Sequence, residues 1–266
     1  MAKARVNGVE LAYDVNGAGD PLVLIHGAQG GRDMYDSLVA AFSPNFQVLT
    51  YDQRGIGESE KPDVPYSMAM LADDMAALMD HAGLSSAFVF GASMGGMIAQ
   101  EFALRYPQKA RALVLGCTTC GGPHAVMQMS DDASKAYSTE TMTEEQRGRA
   151  FAEAIYTKGY IERHPEVIQA AIESRKRQPL DPAAFRRRME AAMAFDSYDQ
   201  LPEIACPTLV IAGKQDATIP SDNSKILAER IPGAQLIILD PAGHLFWEEQ
   251  PEQVHAALTS LFHSVK

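Results

Sequence analysis

Ser93 is the residue whose setting speaks most directly of chemistry. It lies in Gly91-Ala92-Ser93-Met94-Gly95, after an apolar run from Ala87 to Phe90 and before a helical run from Met97 to Tyr106. A Gly-x-Ser-x-Gly at a strand-to-helix turn holds the serine on a sharp, strained bend with its hydroxyl outward. Side chains at the two glycines would collide with the neighbouring strand or helix. The serine also sits where backbone N–H groups and the helix dipole favour developing negative charge. That is the placement of a nucleophile.

A serine hydroxyl attacks only once a base takes its proton, and an imidazole titrating near neutrality suits the task. Seven histidines are present. His81, His255 and His263 fall in or beside amphipathic helices and read as surface residues. His124 and His164 lie where nothing orients them. His26 stands before Gly27, directly after an apolar strand, and is better placed to shape a loop. His244, in Pro241-Ala242-Gly243-His244, follows the last apolar strand and precedes the final helix. Loops leaving the C-terminal ends of parallel strands collect ligand-facing groups, so His244 is the expected base.

An imidazole base needs a carboxylate to fix its tautomer and stabilise its cation. Asp216, in Gly213-Lys214-Gln215-Asp216, occupies the loop after the strand Thr208 to Ile211. Asp240 competes by proximity to His244, but it ends a strand and reads as a turn residue. Acyl transfer also requires donors for an oxyanion. The N–H of Met94, next to the serine, is one candidate. The N–H of Ala28, in the glycine-rich His26-Gly27-Ala28-Gln29-Gly30-Gly31, is the other.

These residues must be positioned by a scaffold, and the chain spells one out. Residues 9–15 alternate and end in the turn Asn16-Gly17-Ala18-Gly19-Asp20, as an antiparallel edge strand would. Continuous apolar runs at 21–25, 46–51, 87–90, 112–115, 208–211 and 235–239 have the character of strands buried on both faces. Helical patterns lie between them, with Met68, Leu71, Met75, Leu78 and Met79 on one face and Asp73, Asp74 and Asp80 elsewhere. Val254, Leu258, Leu261 and Phe262 form a similar stripe near the C-terminus. The architecture expected is α/β, a mostly parallel sheet with helices on both faces.

One segment interrupts the alternation. Between Pro123 and Tyr198 the signals are helical only: a capping box at Thr143 to Gln146, first-turn prolines at 165 and 182, and Asp181 as an N-cap. Apolar residues there include Met127, Met129, Phe151, Tyr156 and Met193. The expected organisation is a core of residues 1–122 and 200–266 with a helical lid at 123–199. The runs Arg175-Lys176-Arg177 and Arg186-Arg187-Arg188 read as solvated helix faces.

Composition narrows the partners. A formal net charge of −11 argues against nucleic acid, which requires a basic surface. Three cysteines make no disulfide framework. The spacing Cys117-Thr118-Thr119-Cys120 lacks the second ligand pair of a metal site, so no metal is expected. No apolar leader or membrane-length stretch occurs, which points to a cytoplasmic protein without a membrane partner.

The chain order Ser93, Asp216, His244, with the elbow and a His-Gly loop upstream, resembles the α/β-hydrolase superfamily. Tyr51-Asp52-Gln53-Arg54-Gly55-Ile56-Gly57-Glu58-Ser59 is similar to that family's structural Asp-x-Arg-Gly-x-Gly-x-Ser turn. Within the superfamily the chain looks most like lidded carboxylesterases and 3-oxoadipate enol-lactonase-like hydrolases. The resemblance implies eight strands with the second antiparallel, a lid inserted after strand 6, a Ser-His-Asp triad and no cofactor. The expected activity is cleavage of a small carboxylic ester or lactone through an acyl-enzyme. Met127, Phe246 and Trp247 are candidates for the substrate pocket. A ligand-binding sensor, a cofactor-free oxygenase and a carbon–carbon bond hydrolase on this scaffold are alternatives.

Overall fold

A computed structural model describes residues 1–126 and 142–265. Eight strands form one sheet: β1 (Ala2–Val6), β2 (Val9–Asn16), β3 (Asp20–Ile25), β4 (Phe46–Tyr51), β5 (Ala87–Ala92), β6 (Ala110–Gly116), β7 (Thr208–Gly213) and β8 (Gln235–Leu239). Their spatial order is β1-β2-β4-β3-β5-β6-β7-β8. β2 is antiparallel to both β1 and β4, and from β4 through β8 every pairing is parallel. The edge position expected for residues 9–15 belongs instead to β1, a short strand in which Ala4 alone is fully buried. Having no apolar run, β1 carries no sequence signal of its own.

The parallel strands are continuous apolar runs because both faces are covered. Alternate residues divide between two cores: Val23, Ile25 and Val89 pack under α2 (Met68–His81) and α3 (Met94–Arg105), while Leu22, Leu24 and Phe90 pack on the other face. That second face is closed by α1 (Asp36–Phe42) and by the stripe Val254, Leu258, Leu261 and Phe262 of the terminal helix Pro251–Ser264. Ser67 caps α2 by accepting from the Met70 N–H. Asp74 departs from the polar face expected of it. It is buried and takes two hydrogen bonds from Arg54, at 2.5 and 2.6 Å. This pair fixes the turn after β4 to α2. Ser59 tightens the same turn by donating to the Asp52 carbonyl and accepting from the Ala12 N–H.

Between β6 and β7 the described residues form four α-helices, Glu144–Ile155, Lys158–Arg163, Glu166–Arg177 and Pro182–Met193, besides two short 3-10 turns. The Thr143 capping box is present, and Asp181 accepts from the Ala184 N–H at 2.8 Å. Proline at the first helical position and an aspartate cap before it set where the last of these helices begins. The segment is tied to the C-terminal loops of the sheet. Leu245 N–H donates to Ile155 O, and Glu249 accepts from both the N–H and the hydroxyl of Thr157. Among the described residues no helix is long and apolar enough to cross a membrane.

Candidate active site

Ser93 joins β5 to α3 with φ +57° and ψ −127°, a left-handed conformation that costs a non-glycine residue about 1–3 kcal/mol. The surroundings enforce it. Ser93 N–H donates to Gly116 O, while Ser93 O accepts from Gly96 N–H and from the Thr118 hydroxyl at 2.7 Å. A Cβ on Gly95 would lie 2.0 Å from Ile25 O, and one on Gly91 would lie 2.3 Å from Gly95 O. Strand and helix therefore approach as closely as two glycines permit. The Met94 N–H opens α3, where no intrahelical acceptor exists for it.

The loops after β7 and β8 bring a carboxylate to an imidazole. Asp216 Oδ2 lies 2.7 Å from His244 Nδ1, and both side chains are buried. Asp216 Oδ1 accepts the N–H groups of Thr218 and Ile219, at 2.8 and 2.9 Å, so the carboxylate cannot turn. Burial opposes charge on His244, but the adjacent Asp216 outweighs it and holds the imidazole well above its usual value. With Nδ1 engaged by Asp216, Nε2 is the nitrogen left for proton transfer. Cys117 Sγ lies 3.9 Å from it, a thiol that burial pushes upward and keeps neutral. Among the described residues no hydrogen bond joins Ser93 Oγ to His244. The two side chains line the same small cavity, of about 20 Å³, with Gly27, Ala28 and Trp247. That is room for about one water molecule. A catalytic hydrogen bond that tightens only when substrate is bound is ordinary for an empty site.

His26 is held quite differently. It is fully buried, and its Nε2 accepts from the Gln53 N–H at 3.2 Å, which places the ring proton on Nδ1. Nδ1 donates to Gly27 O at 2.8 Å. Burial and the neighbouring Arg188 push this imidazole down to about 4, so it stays neutral. Its place is in the loop, as the sequence suggests. Ala28 lies on the cavity, and among the described residues its N–H has no hydrogen-bond partner.

A larger cavity of about 350 Å³ adjoins this one and shares the walls Gln29, Met34, Phe151, Ile155 and Leu245. Tyr156, Val167 and Leu180 supply apolar lining, while Lys61, Arg175 and Arg177 and the acidic Asp33, Asp36, Asp181 and Glu248 supply charge of both signs. Of the pocket candidates, Trp247 borders the small cavity, and Met127 lies outside the described residues. Phe246 is corrected to a core residue. It is fully buried against Phe90 and Trp247, and its ring reaches the space above Gly116. The short helix Phe246–Glu249 turns it back toward the sheet.

The two arginine runs also need correction. Lys176, Arg177 and Arg186 are exposed, but Arg175 is buried and Arg188 wholly so. The signal was present in the spacing. Ala184, Phe185, Arg188 and Ala191 share one helix face, and Ile172 and Arg175 share another. An arginine in register with an apolar stripe reaches inward. Among the described residues, Cys117, Asp216 and His244 are the one cluster of three groups able to ligate a metal. Its Asp216–His244 hydrogen bond and neutral thiol suit proton transfer better than coordination.

Residues 20–251 match the family model for the alpha/beta hydrolase fold. A protein of Azorhizobium caulinodans named as a candidate carbamate hydrolase, RutD, is 30% identical over 95% of this chain and 94% of its own. The poly(3-hydroxyalkanoate) depolymerase of Ectopseudomonas oleovorans is 31% identical over 88% of this chain and 81% of its own. Among solved structures, the enol-lactonase from Burkholderia xenovorans superposes with a TM-score of 0.84 at 28% identity, covering 98% of this chain and 100% of that one. The chain belongs to the α/β-hydrolase family.

Proposed function

We propose that the protein is a serine hydrolase of carboxylic esters or lactones, with Ser93 as nucleophile, His244 as base and Asp216 as its orienting carboxylate. The observation that carries this reading is the buried Asp216–His244 pair opening on the cavity that holds the strained Ser93. His244 Nε2 takes the Ser93 proton as the oxygen attacks the carbonyl carbon. The N–H groups of Ala28 and Met94 receive the oxyanion. His244 then protonates the leaving alkoxide, and a water deprotonated by the same nitrogen releases the acid and restores Ser93. The segment 123–199, helical over much of its described part, acts as a lid whose Phe151 and Ile155 wall both cavities. The larger cavity takes a compact acyl or alcohol group, its apolar part against Phe151, Ile155, Tyr156, Val167 and Leu180.

The substrate class we propose is one in which the serine attacks a carbonyl carrying an alkoxide leaving group, an ester or lactone. The relatives named for depolymerase and enol-lactonase action support the same class. The test is turnover of p-nitrophenyl acetate. Wild-type protein is expected to release nitrophenol over many cycles, and Ser93→Ala to lose on the order of 10⁴-fold or more in kcat with its fold unchanged. A single stoichiometric burst would mark a sensor, and activity surviving Ser93→Ala would exclude Ser93 as nucleophile.

A further inference from the structure

Arg188 is the most demanding group in the molecule that the proposed reaction does not use. It projects from the helix Pro182–Met193, is completely buried, and has no carboxylate partner among the described residues. Its donors all end on neutral oxygens. Nη2 reaches Gln53 Oε1 at 2.8 Å and Gly27 O at 3.2 Å. Nη1 reaches Arg54 O at 3.2 Å, and Nε points to Ala28 O at 3.4 Å. Burial lowers its pKa to about 9, so the cation persists at neutral pH. Burying a guanidinium on carbonyls alone is unfavourable compared with an apolar side chain of the same size. Helix docking by itself does not account for it.

The partners identify what it does. The Gly27 carbonyl belongs to the same peptide unit as the Ala28 N–H, and in a trans peptide the two point in opposite directions. Whatever holds that carbonyl aims that N–H. Gly27 O receives two donors, His26 Nδ1 and Arg188 Nη2. The position needs them. A Cβ on Gly27 would lie 3.1 Å from Ser93 Cβ, so the loop passes against the nucleophile at a residue with little intrinsic resistance to peptide rotation. Two donors on the carbonyl also polarise the amide and strengthen its N–H as a donor. Gln53 completes the frame: it accepts from Arg188 and donates to His26 O at 2.6 Å.

We infer that Arg188 is a positioning residue for the oxyanion hole, clamping the Gly27–Ala28 peptide together with His26 so that the Ala28 N–H faces the reacting carbonyl. The inference rests on the proposed role of Ala28 in ester cleavage. It also makes the helix that carries Arg188 part of the catalytic frame, since displacement of that helix would release the peptide.

The experiment compares Arg188→Met and Arg188→Lys with wild type in p-nitrophenyl acetate hydrolysis and in binding of an aryl trifluoromethyl ketone. That ketone forms a hemiketal oxyanion on an activated serine. Arg188→Met is expected to lose roughly 10²-fold in kcat with KM nearly unchanged, and to bind the ketone weaker by a similar factor. Arg188→Lys keeps the cation but not the fork, and is expected to recover part of both. Wild-type kcat and ketone affinity in Arg188→Met would overturn the inference while leaving Ser93 intact as nucleophile. Failure of the wild type itself to form the hemiketal would overturn the underlying reading instead. If Arg188→Met does not fold, Arg188→Lys decides: an undiminished rate and ketone affinity count against the clamp, and a parallel loss in both supports it.

Discussion

The loops that follow β3 and β8 each carry a buried histidine, His26 and His244. Burial alone pushes both imidazoles toward neutrality. At His244 a carboxylate 2.7 Å away reverses that push and raises the pKa. At His26 burial, reinforced by the Arg188 cation, outweighs the carboxylate of Asp52, and the pKa falls to about 4. The two histidines share residue type, position in the sheet and burial, yet one is equipped to exchange a proton and the other to hold one in place. The identity of the neighbouring charge makes the difference.

The sharpest way to break the contrast is to remove the carboxylate. Asp216→Asn should lower kcat roughly 10³- to 10⁴-fold, because the amide no longer selects the imidazole tautomer with a free Nε2. The sign of the accompanying pH effect follows from the same geometry. In wild type the base must lose its proton before it can act, so kcat/KM rises with pH through a pKa above the usual histidine value. Without Asp216 the largest upward influence is gone and burial is opposed only by Cys117, so the acidic limb of the residual activity should move to lower pH. An unshifted limb, or an unaffected rate, would show that another group, such as Asp240, orients the base.

A smaller effect is expected at His26. Its folded pKa of about 4 lies below the unfolded value, so the unfolded chain binds the extra proton in the interval between. Stability should therefore fall as pH drops from about 6.5 to about 4, by on the order of 3 kcal/mol from this residue. His244, raised above 6.5, is protonated in both states over that interval and adds no slope there. His26→Asn retains an amide donor for Gly27 O but cannot titrate. It should flatten this part of the denaturation profile while keeping activity within about tenfold of wild type. A slope unchanged from wild type would remove His26 as its source.

The fold was legible because covered strands must be apolar throughout and the helices between them must be amphipathic. β1 escaped notice, since a strand at the rim of the sheet with one buried residue has no apolar pattern to show. Ser93 was marked by its flanking glycines, and Asp216 and His244 by their places after strands. The pairing of those two at hydrogen-bond distance is a property of coordinates alone. Arg188 and Arg175 were obscured by neighbouring basic residues that do face solvent, so that a charged run concealed two inward positions. Phe246 was misjudged for the opposite reason. Adjacency to His244 suggested a pocket, whereas a four-residue helix turns its ring into the core.

The central claim is that neutral His244, oriented by Asp216, takes the Ser93 proton and so activates the hydroxyl. It is tested most directly by reaction with a small organophosphonate ester, followed by peptide mass mapping, in wild type and in His244→Ala. Wild-type protein should take up one phosphonyl group, on Ser93, in step with loss of esterase activity, and His244→Ala should react at least about 10³-fold more slowly. A label on any other residue, or an undiminished rate at Ser93 without the imidazole, would contradict the account.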